Sequence, residues 1–312
     1  MLFWLTLVLA AQQLPTLPAT PPADVIPLPV ALPAGPPKLI YAGQPLSLPS
    51  QCGEEEIQAL GLGCTRDEPC PLFLEFSGLE IAGNSIFVSG NLHTDLITLE
   101  SVLLASEDSG KSWMEAHPRV RQGVLDQIQF IDFQNGWVAG QVMQTIARDP
   151  FILLTSDGGK TWRRRPMFDD SRVGSIEYFH FTSKTQGTLV LDRSKAGDPN
   201  GKYESFESST GGSSWSIREV SRTFIKPKRP LPGNGDWRLR PDAASKAYRI
   251  ERRTGATWQT VASFLIRLPG CMPPESKPLA EPPPEPAAPE PVVAPPPPAA
   301  RKTTGRPSLR KK

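Results

Sequence analysis

The sequence has little of what catalysis and metal binding usually draw on. Only three histidines, His93, His117 and His180, and four tyrosines occur in 312 residues, and the histidines are scattered. The four cysteines, Cys52, Cys64, Cys70 and Cys271, are separated by 12, 6 and 201 residues, without the paired C-x-x-C spacings of a zinc site. There is no P-loop, no G-x-G-x-x-G and no Ser–His–Asp elbow. No apolar run reaches the ~20 residues of a bilayer span. No amphipathic run is long enough for a major helix; residues 54 to 62, "EEEIQALGL", can form a short one. Net charge is only +2, so there is no overall attraction to nucleic acid. These absences predict no metal, no cofactor and no nucleic-acid partner.

Proline is abundant instead. The 36 prolines gather toward the two ends, in residues 13 to 50 and 272 to 312, whereas aromatic and aliphatic residues fill the middle. The expected organisation is a signal peptide over 1–12, a Pro-rich linker over 13–51, a globular domain over 52–271 and a Pro-rich spacer with a basic tail over 272–312. The segment "MLFWLTLVLAAQQLP" has the length of a signal-peptide core, although its start carries no Lys or Arg. Export to the periplasm or the extracellular space would suit two disulfides. Three pairings are open. Cys64–Cys70 with Cys52–Cys271 is favoured, because the second bond would clasp the two ends of the fold.

A phrase recurs along the middle. S/T-x-D-x-G-x-x-W occurs at Ser106, Asp108, Gly110, Trp113 and again at Thr155, Asp157, Gly159, Trp162. A weaker copy keeps Ser208, Gly212 and Trp215 with Thr210 in place of the Asp; the weakest keeps Gly255 and Trp258. The tryptophans are 49, 53 and 43 residues apart. Before each copy stands a turn signal feeding a strand-like run, as in "IQFIDFQNGWVAG", residues 128 to 140. There Ile128, Phe130 and Phe133 predict a strand ending at an Asn135-Gly136 hairpin turn, with further strands from Trp137, over Phe151 to Leu154 and from Trp162. Four short strands per ~50 residues is the size of a propeller blade. The predicted fold is an all-β propeller of about four four-stranded repeats.

Each residue of the box has a structural role with no ligand present. Gly supplies φ > 0 in the turn, Asp can accept backbone N–H groups of its own turn, Ser or Thr adds a hydroxyl, and Trp folds over the turn and buries a large face. One carboxylate per turn falls short of the 6 to 8 oxygens calcium takes. Copies that lose the Asp keep the Gly and Trp, as a scaffold tolerates and a set of metal sites does not.

These boxes resemble the Asp-box, or bacterial neuraminidase repeat, of sialidases and many other propellers. The pairing of "IQFIDFQNGWVAG" with "ILLTSDGGKTW" is most similar to the photosystem II stability/assembly factor type of propeller. The resemblance covers about residues 72 to 266. It implies boxes that act structurally on blade edges, and a non-catalytic assembly role. Those factors carry six or seven blades, whereas four repeats are countable here. Three outcomes remain open: a four-bladed ring, a partial ring completed by another subunit, and a ring closed by a strand from residues 52 to 71.

A sialidase would need an arginine cluster, a Tyr–Glu pair and an acid Asp, and no such motif precedes the first box. Basic residues with interleaved aromatics instead mark the later half. Arg163, Arg164 and Arg165 follow a box tryptophan, and Arg238 and Arg240 stand with Trp237 in "DWRLR", residues 236 to 240. These are the candidate binding residues for an acidic envelope protein, a glycan or a lipid headgroup. The bland reading pairs the arginines with Glu177, Glu204, Glu207 and Glu251. The stretch "RKTTGRPSLRKK", residues 301 to 312, holds six basic residues and no acid, which suits an anionic surface. The expectation is an exported protein-binding or assembly factor, with a sialidase-like glycoside hydrolase or glycan-binding protein as the alternative.

Overall fold

The structure is a computed structural model and describes residues 37–50, 54–197, 201–226 and 235–271. Its regular structure is almost all antiparallel strand. After a two-residue strand β1 (Leu39–Ile40) and a short helix α1 (Glu54–Ala59), the chain builds four sheets in sequence. Blade I holds β2 (Cys70–Ala82), β3 (Ser85–His93), β4 (Thr98–Ser106) and β5 (Ser112–Glu115). Blade II holds β6 (Gly123–Phe130), β7 (Gly136–Met143), β8 (Ala147–Thr155) and β9 (Arg163–Pro166). Blade III holds β10 (Ser175–Phe181), β11 (Gly187–Asp192), β12 (Tyr203–Ser208) and β13 (Ser216–Ser221). Blade IV holds β14 (Trp237–Asp242), β15 (Ala247–Thr254) and β16 (Thr257–Leu265), and β17 (Arg267–Cys271) follows. Blades II and III are four-stranded meanders, as expected of a β-propeller.

Two sheets depart from four strands. Blade IV has three among the described residues, and blade I is a six-stranded sheet in the order β1-β5-β4-β3-β2-β17. β17 leaves blade IV and pairs antiparallel with β2, so that Cys271 lies opposite Cys70. The strand added beside β2 is therefore residues 267–271, rather than one from residues 52–71. On the other edge, Leu39 and Ile40 pair with Trp113 and Ser112. Leu46 then bridges to Phe264 of β16. This corrects the boundary of the expected 13–51 linker. Leu39, Tyr41, Leu46 and Leu48 pack on the blade I–blade IV core, and Leu48 is 1% exposed. Their burial stabilises a segment whose prolines alone would keep it extended.

The blades stack in the order IV–I–II–III, each contact filled by apolar faces. Phe264 of blade IV meets Trp113 and Phe76 of blade I edge-on, both at 5.3 Å. Phe87 of blade I stacks on Phe130 of blade II at 4.7 Å. Trp137 of blade II stacks on Phe181 of blade III at 3.8 Å. Such rings bring both area and directional packing. The seam between blades II and III is also latched by glutamines. The Gln129 amide accepts from Phe181 N at 2.8 Å and donates to Phe181 O at 3.0 Å. Gln127 repeats the pattern one step along, accepting from Phe179 N and donating to Glu177 O. Side-chain amides thus take the place of a neighbouring strand on the inner edge of β10.

The outward face of blade IV is polar, whereas that of blade III sets polar positions around the buried Tyr178 and Val190. On blade III the aligned positions Thr188, Ser205, Glu207 and Glu219 point away from blade II. On blade IV, Arg238, Glu251 and Thr260 align across three strands, and so do Arg240, Arg249 and Ser263. No apolar cluster joins these two blades among the described residues.

The Asn135-Gly136 reading needs correction. Phe133 does not belong to β6; it sits in the loop after it and is 75% exposed. The loop is organised by Asp132, whose carboxylate accepts from the backbone N–H of Gln134 and Asn135 and from the Asn135 side chain. Such an Asx arrangement needs no φ > 0 at Asn135 or Gly136, and Gly136 opens β7 instead. Of the disulfides, Cys64–Cys70 is formed with Cα atoms 5.1 Å apart, within the normal range. The expected Cys52–Cys271 bond has its Cys52 end outside the described residues. Residues 1–36 and 272–312, where the signal peptide and the basic tail are expected, also lie outside them. No helix among the described residues is long and apolar enough to cross a membrane. The Cys64–Cys70 bond suits an oxidising compartment.

Candidate functional site

The repeated turns consume their own polar groups. Asp108 accepts hydrogen bonds from Ser106 Oγ (2.9 Å), Ser112 N (2.8 Å) and Ser112 Oγ (2.5 Å). Ser106 Oγ in turn accepts from Gly110 N at 2.8 Å, and the Trp113 indole donates to Gly110 O at 3.0 Å. The second copy matches: Thr155 Oγ1, Thr161 N and Thr161 Oγ1 donate to Asp157, Gly159 N donates to Thr155 Oγ1, and the Trp162 indole donates to Gly159 O. Desolvation would raise each carboxyl, but these donors outweigh it and hold Asp108 and Asp157 at about 2. In the third copy Thr210 Oγ1 accepts from Ser214 N at 2.9 Å, and Ser208 Oγ accepts from Gly212 N at 2.9 Å. A hydroxyl there substitutes for the carboxylate, with Trp215 half-buried against blade III.

The box glycines also record the stacking. At Gly159, φ is +83°, and a Cβ would lie 2.4 Å from Phe87 of blade I. At Gly110 it would lie 2.2 Å from Val261 of blade IV. At Gly212 the near neighbours include Leu154 and Trp137 of blade II. Each box therefore presses on the blade before it. Gly255, the box glycine of blade IV, has no such neighbour within 4 Å. Its Trp258 is instead covered by the Arg238 guanidinium at 4.0 Å.

The six candidate binding residues fall into two groups. Arg163, Arg164 and Arg165 form β9, the outer edge of blade II, and all are exposed. None of the three makes an ion pair among the described residues; Arg164 lies over the Phe151 ring at 4.2 Å. Arg238 and Arg240 converge on Glu251 at 2.6 and 3.8 Å. Trp237 packs at the edge of the blade I–blade IV core, 5.5 Å from the Arg252 guanidinium. Of the carboxylates weighed as partners, Glu204, Glu207 and Glu251 are ion-paired, to Arg193, Arg218 and Arg238. Glu177 pairs with no cation among the described residues.

Glu177 belongs to a set that the sequence reading passed over. Glu75 on β2, Asp126 on β6 and Glu177 on β10 are 51 residues apart in each step. Each lies beside a register shift of its blade's first strand: Phe76/Gly78, Leu125/Ile128 and Ile176/Tyr178. A bulge re-aims a side chain, and here it does so at the same place in three blades. The Asp126 carboxyl is pushed up, first by burial and then by the Glu177 and Glu75 carboxylates, against a hydrogen bond from Gln141. Tyr248 of blade IV also feels Glu75. The signal was available as apolar–acid pairs, Leu74-Glu75, Leu125-Asp126 and Ile176-Glu177. No group of three His, Cys, Asp or Glu residues among those described could hold a metal ion.

A groove of about 530 Å³ runs between β5 and the box of blade II, lined by Phe87, Met114, His117, Pro118, Gly159 and Lys160. Burial, with Arg164 nearby, lowers the His117 pKa. A second hollow of about 310 Å³ lies on the outward face of blade III.

No family model matches the chain, and no curated protein matches it. Solved structures similar to it include YCF48 bound to a D1 peptide (13% identity, TM-score 0.37, 62% of this chain) and YCF48 from Cyanidioschyzon merolae (14%, 0.33, 62%). Another is an α-L-arabinanase of Penicillium chrysogenum complexed with arabinobiose (13%, 0.35, 72% of this chain and 66% of that one). The chain spans 56% and 57% of the two YCF48 chains.

Proposed function

We propose that the chain is an exported, non-catalytic propeller that binds another envelope component as an assembly or stability factor. The observation that carries this reading is the β9 edge. Three consecutive arginines stand exposed there on an outermost strand, without a salt bridge among the described residues. Unpaired cations on an open strand edge suit an acidic protein segment, which can add backbone hydrogen bonds to charge. The boxes offer little competition, because their carboxylates are already satisfied within their own turns. The test is retention of envelope proteins on the immobilised chain. Specific retention that falls on Arg163→Gln with Arg165→Gln supports the reading; unchanged retention counts against it.

One observation favours a second reading, a glycoside hydrolase. Asp126 has a raised carboxyl beside two further acids, as a general acid beside a base or nucleophile requires. Turnover on a glycosidase panel, abolished by Asp126→Asn, would establish that reading in place of the first.

A further inference from the structure

Within the described residues the inner ends of blades I to III are crowded with acceptors and short of donors. Asp126 feels the Glu177 and Glu75 charges; Glu75 and Glu177 are exposed, and none of the three pairs with Lys or Arg among the described residues. Around them, buried amide oxygens also lack partners. Gln141 is 4% exposed, and its Nε2 donates to Asp126 at 2.5 Å, which leaves its Oε1 with no donor. Asn91 is 6% exposed and lies directly across the ladder from Glu75, and its Oδ1 also has no donor. Ser89 Oγ, two residues before it, is likewise unsatisfied. Buried polar atoms are almost always hydrogen-bonded, and like charges held together cost stability. A cation rich in N–H donors beside the carboxylates would offset their charge and bring donors to the edge of this buried amide layer. A bare metal is a poor candidate, because no three carboxylates among those described converge closely enough.

We propose that this row of carboxylates and amides docks the chain's own basic cluster at residues 301–312. Charge complementarity favours it: Arg301, Lys302, Arg306, Arg310, Lys311 and Lys312 come with no acid, and guanidinium and ammonium groups are donors only. Reach favours it as well. β17 ends at Cys271, opposite Cys70 on β2, and Glu75 lies five residues further along that strand, roughly 17 Å away. A Pro-rich stretch the length of residues 272–300 can extend to ~90 Å. Tethering makes the encounter intramolecular, so weak pairs suffice. The docked tail covers the inner face, and any anionic surface competes for it.

Carbodiimide cross-linking of the full chain at low salt, read by mass spectrometry, tests this, since it joins a carboxylate to a lysine amine in contact with it. The expected result is intramolecular links from Lys302, Lys311 or Lys312 to Glu75, Asp126 or Glu177, at least several-fold depleted at high salt. A mixture of isotope-labelled and unlabelled chains separates links within one copy from links between two. Links only between copies, or from those lysines only to other acids, would overturn the proposal. So would their absence while control Lys–Glu pairs elsewhere react. In a second measurement, a synthetic peptide of residues 301–312 should bind a full chain carrying Gln at the six basic positions at least ten-fold tighter than it binds the unaltered chain. Equal binding by the two chains contradicts self-docking. Envelope-protein retention is scored separately, so failure here leaves the β9 reading to its own test.

Discussion

At the scale of the residue, what a polar group contributes depends on whether it is satisfied where it stands. Asp157 holds three donors of its turn, so Asp157→Ala should cost about 1–3 kcal/mol in chemical denaturation; Asp157→Asn, which keeps one acceptor oxygen, should cost less. Glu80 is the opposite case. It lies on β2 opposite Phe87, and burial lifts its carboxyl from 4.5 to about 7. Its folded pKa exceeds its unfolded one, so this residue's contribution is fully present below about 4.5 and is lost as pH rises through about 7. Glu80→Gln should therefore stabilise the protein at pH 8, by up to about 3 kcal/mol, and have little effect at pH 4. A substitution equally neutral at both pH values would show that Glu80 is solvated. Asp126 follows the same sign, with burial first among the causes, so Asp126→Asn should raise the melting temperature at neutral pH.

At the scale of the element, the unit is a turn pressed on its neighbour. Much of this was legible in the sequence, because a turn with φ > 0, an Asx carboxylate and a covering indole each require a particular residue type. That is why Gly159, Asp157 and Trp162 could be assigned roles from spacing alone. Other features were hidden for physical reasons. Phe133 read as a strand residue because an apolar side chain before Asn-Gly imitates a hairpin, whereas Asp132 ties the loop one residue earlier. β1 is two residues long, too short for any alternation to show. The inner acids were missed because their 51-residue recurrence involves neither a turn nor an apolar face. Blade stacking can be probed with the glycines themselves. Gly159→Ala carries both the left-handed cost of about 1–2 kcal/mol and a clash with Phe87 at 2.4 Å. Gly255→Ala, with open space around it, should carry only the first. Equal losses in urea melts would mean that blade IV is covered much as blade II is.

At the scale of the whole molecule, four blades pack in the order IV–I–II–III through apolar faces. Its charge is divided: arginines on the β9 edge and on the blade IV face, carboxylates on the inner strands. The blade IV arginines are largely occupied by Glu251, Asp242 and Asp236, whereas the three β9 arginines make no ion pair among the described residues. Reducing Cys64–Cys70 removes a small loop closure only, since the bond spans six residues. The expected loss of stability under mild reductant is accordingly small, at or below about 3 kcal/mol, and a collapse of the fold would show that the bond does more than close its loop.

The division between scaffold and recognition is tested most directly by one binding measurement. Envelope extract is passed over the immobilised full chain, the Asp157→Ala variant and the Arg163→Gln/Arg164→Gln/Arg165→Gln variant, each well below its melting temperature. The account expects Asp157→Ala to retain the same proteins as the unaltered chain despite its lower stability. It expects the triple variant to lose them at unchanged melting temperature. Loss of retention in Asp157→Ala while folded, with full retention by the triple variant, would place recognition in the repeated turn and contradict the account.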